Sequence, residues 1–249
     1  MQPKTIVVFD IDGVIRDVGG SYRLALADTV EHFTHGAYRP TSVEIDELKA
    51  EGIWNNDWEA SRELISRHYG QPASDYEAIV AFFQSRYRGT DEQNWTGYIC
   101  HEPLLLPKSY FEQLTAAGIP WGFFSGATRA SANYVLEKRL GLNSPVLVAM
   151  EDAPGKPDPT GLFATVSQLA NNMSPVIYVG DTVADMYTVE KARTLVPNQK
   201  WIGVGILPPH VQETPQRRDA YTQTLLTAGA AIVFSNVQEL TVTQIHALL

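Results

Sequence analysis

The sequence predicts an α/β fold: a parallel sheet covered by helices on both faces, with an all-helical segment inserted after the first strand. Three observations carry this reading. From about residue 102 to the end, short apolar β-branched runs alternate with helical patterns, the signature of a parallel sheet with crossover helices. The first apolar run, Thr5 to Phe9, stops abruptly in Asp10-Ile11-Asp12-Gly13. Strand ends of open α/β sheets are where ligands sit, so a polar stop of this kind marks a site; the plainer alternative is an Asp-Gly hairpin turn. Between this run and the next, residues 22–88 are patterned as helix with no strand-like segment.

Taken in order, Arg16 to Gly20 is a polar, glycine-ending hinge. Leu26, Val30 and Phe33 then recur at helical spacing. Thr41-x-x-Glu44 after Pro40 and Ser74-x-x-Glu77 after Pro72 are capping boxes that open two further helices. The loop from Gly52 to Trp58 is rich in aromatics and amides. Beyond it, helices are expected over 108–117, 130–140, 158–170 and 183–192. Asp158-Pro159 opens the third of these with proline in its first turn. Strands are expected over 121–124, 146–150, 176–179, 201–204 and 231–234, and Thr241-x-x-Gln244 caps a final helix. Residues 207–218 are the least patterned and read as a surface excursion. The expected domains are a core of residues 1–16 plus 101–249 and a helical insertion over 17–100.

The 249 residues carry 28 acidic and 19 basic side chains, a formal charge of −9. This balance disfavours non-specific nucleic-acid binding, which needs a basic surface. Cys100 is the single cysteine, so neither an internal disulfide nor a cysteine zinc site is available. No apolar run is long enough for a membrane span or a secretory signal. The expectation is a cytoplasmic protein with no nucleic-acid or membrane partner.

The chemistry-bearing residues fall at four predicted strand ends. Asp10 and Asp12 follow the first strand, and Ser125 and Gly126 the second. Lys156 follows the third, in Gly155-Lys156-Pro157-Asp158-Pro159, and Asp181 and Asp185 follow the fourth. In a parallel sheet these ends share one edge, so residues distant in sequence converge. Clustered aspartates form a hard oxygen site of the kind Mg²⁺ prefers. A lysine, a serine hydroxyl and the Gly126 amide at a helix start suit a phosphoryl group. One aspartate can attack phosphorus while the other carries protons.

These motifs, Asp10-x-Asp12-Gly13-Val14, Ser125 after an apolar strand, Lys156 in its Gly-Lys-Pro turn and Gly180-Asp181-x-x-x-Asp185, resemble those of the haloacid dehalogenase (HAD) superfamily of phosphohydrolases. The resemblance covers residues 4–16 and roughly 103–249 and implies a Rossmann-like core with a small α-helical cap, as in phosphoglycolate phosphatases and beta-phosphoglucomutases. It implies that Asp10 is the nucleophile and Asp12 the general acid/base. Mg²⁺ would be held by Asp10, the main-chain carbonyl of Asp12 and Asp181, with Asp185 a further ligand or acting through water. Ser125, Gly126 and Lys156 would hold the phosphate. Dehalogenases of this superfamily lack the aspartate matching Asp12. Caps of this type carry a substrate-reading loop, which places Trp54, Asn55, Asn56 and Asp57 as substrate contacts; the plainer alternative has Asn56 or Asp57 capping the next helix. The chain departs from the resemblance at Val18-Gly19-Gly20, where comparable members carry a threonine.

The function expected is therefore a Mg²⁺-dependent phosphatase of a small phosphorylated metabolite. The alternatives are a phosphomutase using the same aspartyl-phosphate and a non-catalytic ligand-binding member of the fold. Arg16, Arg23, Arg86, Arg88, Arg129, His32 and His35 are expected at the surface, and Cys100 in packing.

Overall fold

The computed structural model describes residues 5–51, 53–54, 56–72, 75–91, 93–170 and 173–249. The chain divides into two compact units. One holds the chain up to Asp17 together with Leu104–Leu249, and the other holds Val18–Pro103.

The first unit is built on six strands: β1 (Ile6–Phe9), β2 (Trp121–Phe124), β3 (Leu147–Val148), β4 (Val176–Gly180), β5 (Trp201–Ile206) and β6 (Ala230–Phe234). All pair in parallel, in the order β3-β2-β1-β4-β5-β6. The chain winds outward from β1 in one direction, then returns to β4 on its other side. The end of β1 is thus the switch point where crossovers diverge and a crevice opens. Helices α5 (Lys108–Ala116), α6 (Arg129–Asn133), α7 (Thr160–Leu169), α8 (Val183–Leu195), α9 (Pro215–Thr227) and α10 (Val242–Ala247) complete the unit; α1 to α4 belong to the second unit.

Both faces of the sheet are buried, which is why β1 and β4 read as continuous apolar runs rather than alternating ones. On one face Ile6, Val8, Phe124, Tyr178 and Val189 pack with Leu162 and Val166 of α7. On the other, Phe9 meets Phe111 of α5 edge-on, with ring centroids 5.5 Å apart. Gly161 lets α7 approach β2: a Cβ there would lie 2.1 Å from the Phe124 ring.

Several expectations need correction. The α9 helix was not predicted, because Leu225 is its one buried residue and no apolar stripe marks it. Its start was nonetheless written in Thr214, which caps it, and in Pro215 at its first position. The helix expected over 130–140 is α-helical only to Asn133 and continues as a π-helix over Tyr134–Arg139. Pro159 is the N-cap of α7 rather than a first-turn residue, and the 146–150 strand pairs only at Leu147–Val148.

The second unit contains α1 (Tyr22–Phe33), α2 (Ser42–Ala50), α3 (Asp57–Tyr69) and α4 (Tyr76–Tyr87). Tyr22 stacks on Tyr87 with centroids 4.3 Å apart, joining α1 to α4. The Thr41–Glu44 capping box forms as expected. Ser74 of the second box lies outside the described residues, and α4 is capped by Asp75. His32 and Arg86 are exposed, as expected, and each has a partner: the His32 ring stacks on Phe82 at 4.0 Å, and Arg86 pairs with Asp28 at 2.7 Å. Asp28 also receives Tyr98 Oη at 2.6 Å, and together these bonds hold its carboxyl below the ordinary value against the opposing effect of burial.

Candidate active site

Four strand ends place the candidate residues along one edge of the sheet. The ladder runs one residue past β1 and β2: the Asp10 amide donates to Val179 at 2.8 Å and the Ser125 amide to Val148 at 3.0 Å. This fixes the backbones of both residues at the edge where the apolar runs end.

Lys156 is the electrostatic centre. Its Nζ lies 2.9 Å from Asp10 Oδ1 and 2.6 Å from Asp185 Oδ1, and it sits 5.5 Å from the ring centroids of both Phe124 and Tyr178. Burial works against its charge, but the two carboxylates outweigh it and raise its pKa. Asp185 is fully buried, and its oxygens are spoken for. Oδ1 also accepts from Tyr178 Oη at 2.9 Å, while Oδ2 accepts from the Thr182 amide at 3.0 Å and Thr182 Oγ1 at 2.6 Å. Burial raises its pKa, yet Lys156 and the Thr182 bonds prevail and hold it below the ordinary carboxylate value. The opposite holds for Asp10. There burial outweighs Lys156, and the charges of Asp185 and Asp12 add to it, so the carboxyl is pushed up to about 7. Asp181 is raised well above its usual value, by burial first and then by Asp185 and Asp10.

Asp10, Asp181 and Asp185 each bring a carboxylate oxygen within 4.8 Å of the others. Buried like charges at this spacing repel unless a cation or a proton intervenes. Lys156 alone does not satisfy the group. Asp10 Oδ1 is buried with no well-directed hydrogen bond among the described residues, and Tyr221 Oη bonds the main-chain carbonyl of Asp181, not its carboxylate. A hard oxygen set with acceptors left over fits a divalent cation such as Mg²⁺. Gly13 closes this corner: its φ is +73°, and a Cβ there would fall 2.0 Å from Asp181 Oδ2.

Ser125 is buried, and its Oγ accepts from the Ala127 amide at 3.2 Å, which leaves its own hydrogen free to be donated. Gly126 is exposed, with open space where a side chain would project. It precedes α6 by three residues, with Thr128 the N-cap, so Gly126 is not itself at a helix start as expected. Arg129 is the first residue of that helix and pairs with Asp152.

Asp12 is the one acid turned out of the cluster. Its side chain is 27 % exposed and bound by Arg16, which is fully buried; the expectation of a surface Arg16 is wrong. In the helical unit, Asn56 caps α3, accepting from the Trp58 and Glu59 amides, and Asp57 pairs with Lys49 at 2.8 Å. Trp54 donates to Glu51, which Arg67 holds through two bonds of 2.7 and 2.8 Å. Asn55 and Gly52 lie outside the described residues. Sequence reasoning missed Tyr178 and Thr182. A tyrosine inside a buried strand needs a partner for its hydroxyl, and Thr182-x-x-Asp185 has the spacing of a capping box; both signals were present.

A parallel sheet with an acidic switch point, a buried lysine and an intervening helical unit defines a recognisable class. The chain belongs to the haloacid dehalogenase-like hydrolases, whose family model matches residues 4–193. A solved structure of a predicted phosphoglycolate phosphatase from Haemophilus somnus 129PT shares the fold with a TM-score of 0.70. That pair is 15% identical, with 97% of each chain covered. A candidate beta-phosphoglucomutase from Thermotoga maritima has a TM-score of 0.65 at 15% identity, covering 99% of this chain and 100% of that one. In sequence, the chain is 29% identical over 245 residues to imidazoleglycerol-phosphate dehydratase of Phytophthora nicotianae, covering 94% of this chain and 51% of that protein. It thus spans about half the length of that relative. No helix among the described residues is long and apolar enough to cross a membrane.

Proposed function

We propose that the protein is a Mg²⁺-dependent phosphatase of a small phosphorylated metabolite, acting through an aspartyl-phosphate in a cytoplasmic setting. The observation that carries this reading is the meeting of Asp10, Asp181, Asp185 and Lys156 within one cluster at the switch point of the sheet. An Asp10 oxygen attacks phosphorus as the ester P–O bond breaks, and Asp12 gives its proton to the departing alkoxide. Water then attacks the same phosphorus. Asp12 takes the water proton, the bond to Asp10 breaks and orthophosphate leaves. Ser125 Oγ, the Gly126 amide and Lys156 Nζ hold the phosphoryl oxygens. Asp10, the Asp12 carbonyl and Asp181 would hold Mg²⁺, which supplies positive charge that keeps the buried carboxyls ionised and offsets that of the phosphate. The acceptor positions of Asp185 are already filled, which supports a role through Lys156 or through water. Residues 54–57 are proposed to select among substrates.

The test is incubation with a panel of phosphomonoesters, with and without Mg²⁺. The panel includes sugar phosphates and imidazoleglycerol phosphate, the compound named for the Phytophthora relative. Orthophosphate release without a bisphosphate activator supports the phosphatase. Isomer formation without release supports the mutase, the reading to which the Thermotoga neighbour points. Binding with no turnover, unchanged in Asp10→Asn, supports a non-catalytic protein.

A metal response is also expected without turnover. In the metal-free fold Asp10 keeps its proton to about pH 7, whereas an unfolded aspartate releases it near pH ~4. Between these values the folded chain binds more protons, so this group makes stability fall as pH rises through the window. Asp181, also raised, acts with the same sign. The expected result is that Mg²⁺ raises the melting temperature more at pH 8 than at pH 5. An equal response at both pH values would remove the buried carboxyls from the metal site.

A further inference from the structure

We propose that Arg16 is a positioning residue for proton transfer, holding Asp12 by one carboxylate oxygen and leaving the other for the reacting ester and water. The inference rests on the acid/base role given to Asp12 above.

The geometry begins in the backbone. The Ile15 and Arg16 amides both donate to the Ile11 carbonyl, at 2.8 and 3.2 Å, and the Gly13 amide donates to the Arg16 carbonyl at 2.9 Å. Arg16 is also bridged to Leu104, and the Leu105 amide bonds the Ile15 carbonyl at 2.9 Å. The turn that carries Asp12 is therefore closed on itself and stapled to a second segment of the core. From this fixed base the Arg16 side chain reaches back four residues. Its Nε and one terminal nitrogen each lie 2.6 Å from the same oxygen, Asp12 Oδ1.

Burial separates this pair from an ordinary surface contact. Exposed ion pairs contribute little and hold no fixed geometry. Arg16 is 0 % exposed while Asp12 remains 27 % exposed, so the cation is enclosed and the carboxylate is the part left accessible. A buried guanidinium is costly unless well paired, and its planar donors resist rotation of the group they grip. One Asp12 oxygen is thereby pinned and the carboxyl plane set, as a proton carrier requires if it is to serve a leaving oxygen and then a water from one position.

The test compares Arg16→Met, Asp12→Asn and the double variant on two esters. Nitrophenolate leaves p-nitrophenyl phosphate without needing a proton, whereas the alkoxide of glycerol 2-phosphate needs one. Arg16→Met should lower turnover of the alkyl ester about 30-fold, a part of the roughly 10²–10⁴-fold that general acid–base catalysis contributes as a whole. The first-turnover burst of nitrophenolate should stay within about 3-fold of the unmodified chain, followed by a slowed steady state as the acyl phosphate waits for its base. In the Asp12→Asn background, adding Arg16→Met should cost less than about 3-fold more, since the two act as one unit. Where Arg16→Met does not fold, Arg16→Lys keeps a buried cation with a different donor geometry and should show the same selectivity in milder form.

Equal losses on burst and alkyl turnover, or full additivity in the double variant, would overturn the role of Arg16 while leaving the phosphatase reading in place. An unchanged alkyl turnover in Asp12→Asn would remove the acid/base assignment itself, and the inference with it. A chain that hydrolyses neither ester would remove both.

Discussion

Asp10→Asn is expected to lower phosphomonoester turnover by at least ~10³-fold, because it removes the oxygen nucleophile that becomes phosphorylated. The fold should survive. Lys156 keeps Asp185 as its partner at 2.6 Å, so the substitution does not strand the ammonium. It also relieves one member of a crowded set: Asp10 and Asp181 are both raised by burial and by neighbouring carboxylates. The melting temperature at pH 8 should therefore stay level or rise, and part of the pH dependence between about 4 and 7 should vanish. Two measurements check this, orthophosphate release and mass spectrometry of acid-quenched protein. The unmodified chain should carry a phosphoryl adduct on the peptide containing Asp10, and the variant none. Retained turnover would exclude Asp10 as nucleophile.

Lys156→Met should have the largest effect on stability. It removes the cation that two buried carboxylates share, and breaking a buried pair from one side costs about 3–5 kcal/mol. The two partners are not left alike. Asp185 retains Tyr178 and both Thr182 donors, whereas Asp10 Oδ1 loses the cation that faces it and keeps no hydrogen-bond donor among the described residues. The loss should be greatest at pH 8, where Asp10 is charged, and smaller at pH 5, where it holds a proton and needs the cation less. Urea unfolding midpoints at the two pH values, without metal, measure this directly. A deficit independent of pH would mean that Lys156 stabilises through Asp185, which is ionised at both values, or by packing over Phe124 and Tyr178, rather than through Asp10. Turnover should fall as well, since the phosphoryl oxygens lose their lysine.

Much of this was legible in the sequence because a parallel sheet writes its plan in coarse letters. Strands buried on both faces are unbroken apolar runs, so β1, β2, β4 and β5 were visible; the half-buried edge strand β6 carries the same apolar composition, and the polar residues that end four of the six strands were visible too. The Thr41–Glu44 box and the Thr241 cap were equally legible, being local, although the Thr182–Asp185 box went unread. What stayed hidden depends on tertiary surroundings. Arginine at position 16 reads as surface because a buried guanidinium is rare, and its contact with Asp12 appears only in the folded chain. The π-helix over Tyr134–Arg139 has no pattern of its own to distinguish it from an α-helix. The α9 helix buries too little to leave an apolar stripe. Asn56 was open to two readings, and the structure shows it making the local hydrogen bonds of a helix cap.

The bridge between Arg16 and Leu104, with the Leu105 to Ile15 bond beside it, closes the long insertion at its root. It fastens together, within the core unit, the two points between which residues 18–103 are inserted. Loop length contributes only weakly to the entropy of such a closure. An insertion of a different length between these points would therefore leave the strand ladder that aligns the acids in place. The acids and the lysine proposed for the chemistry all lie in the unit on which that closure is made.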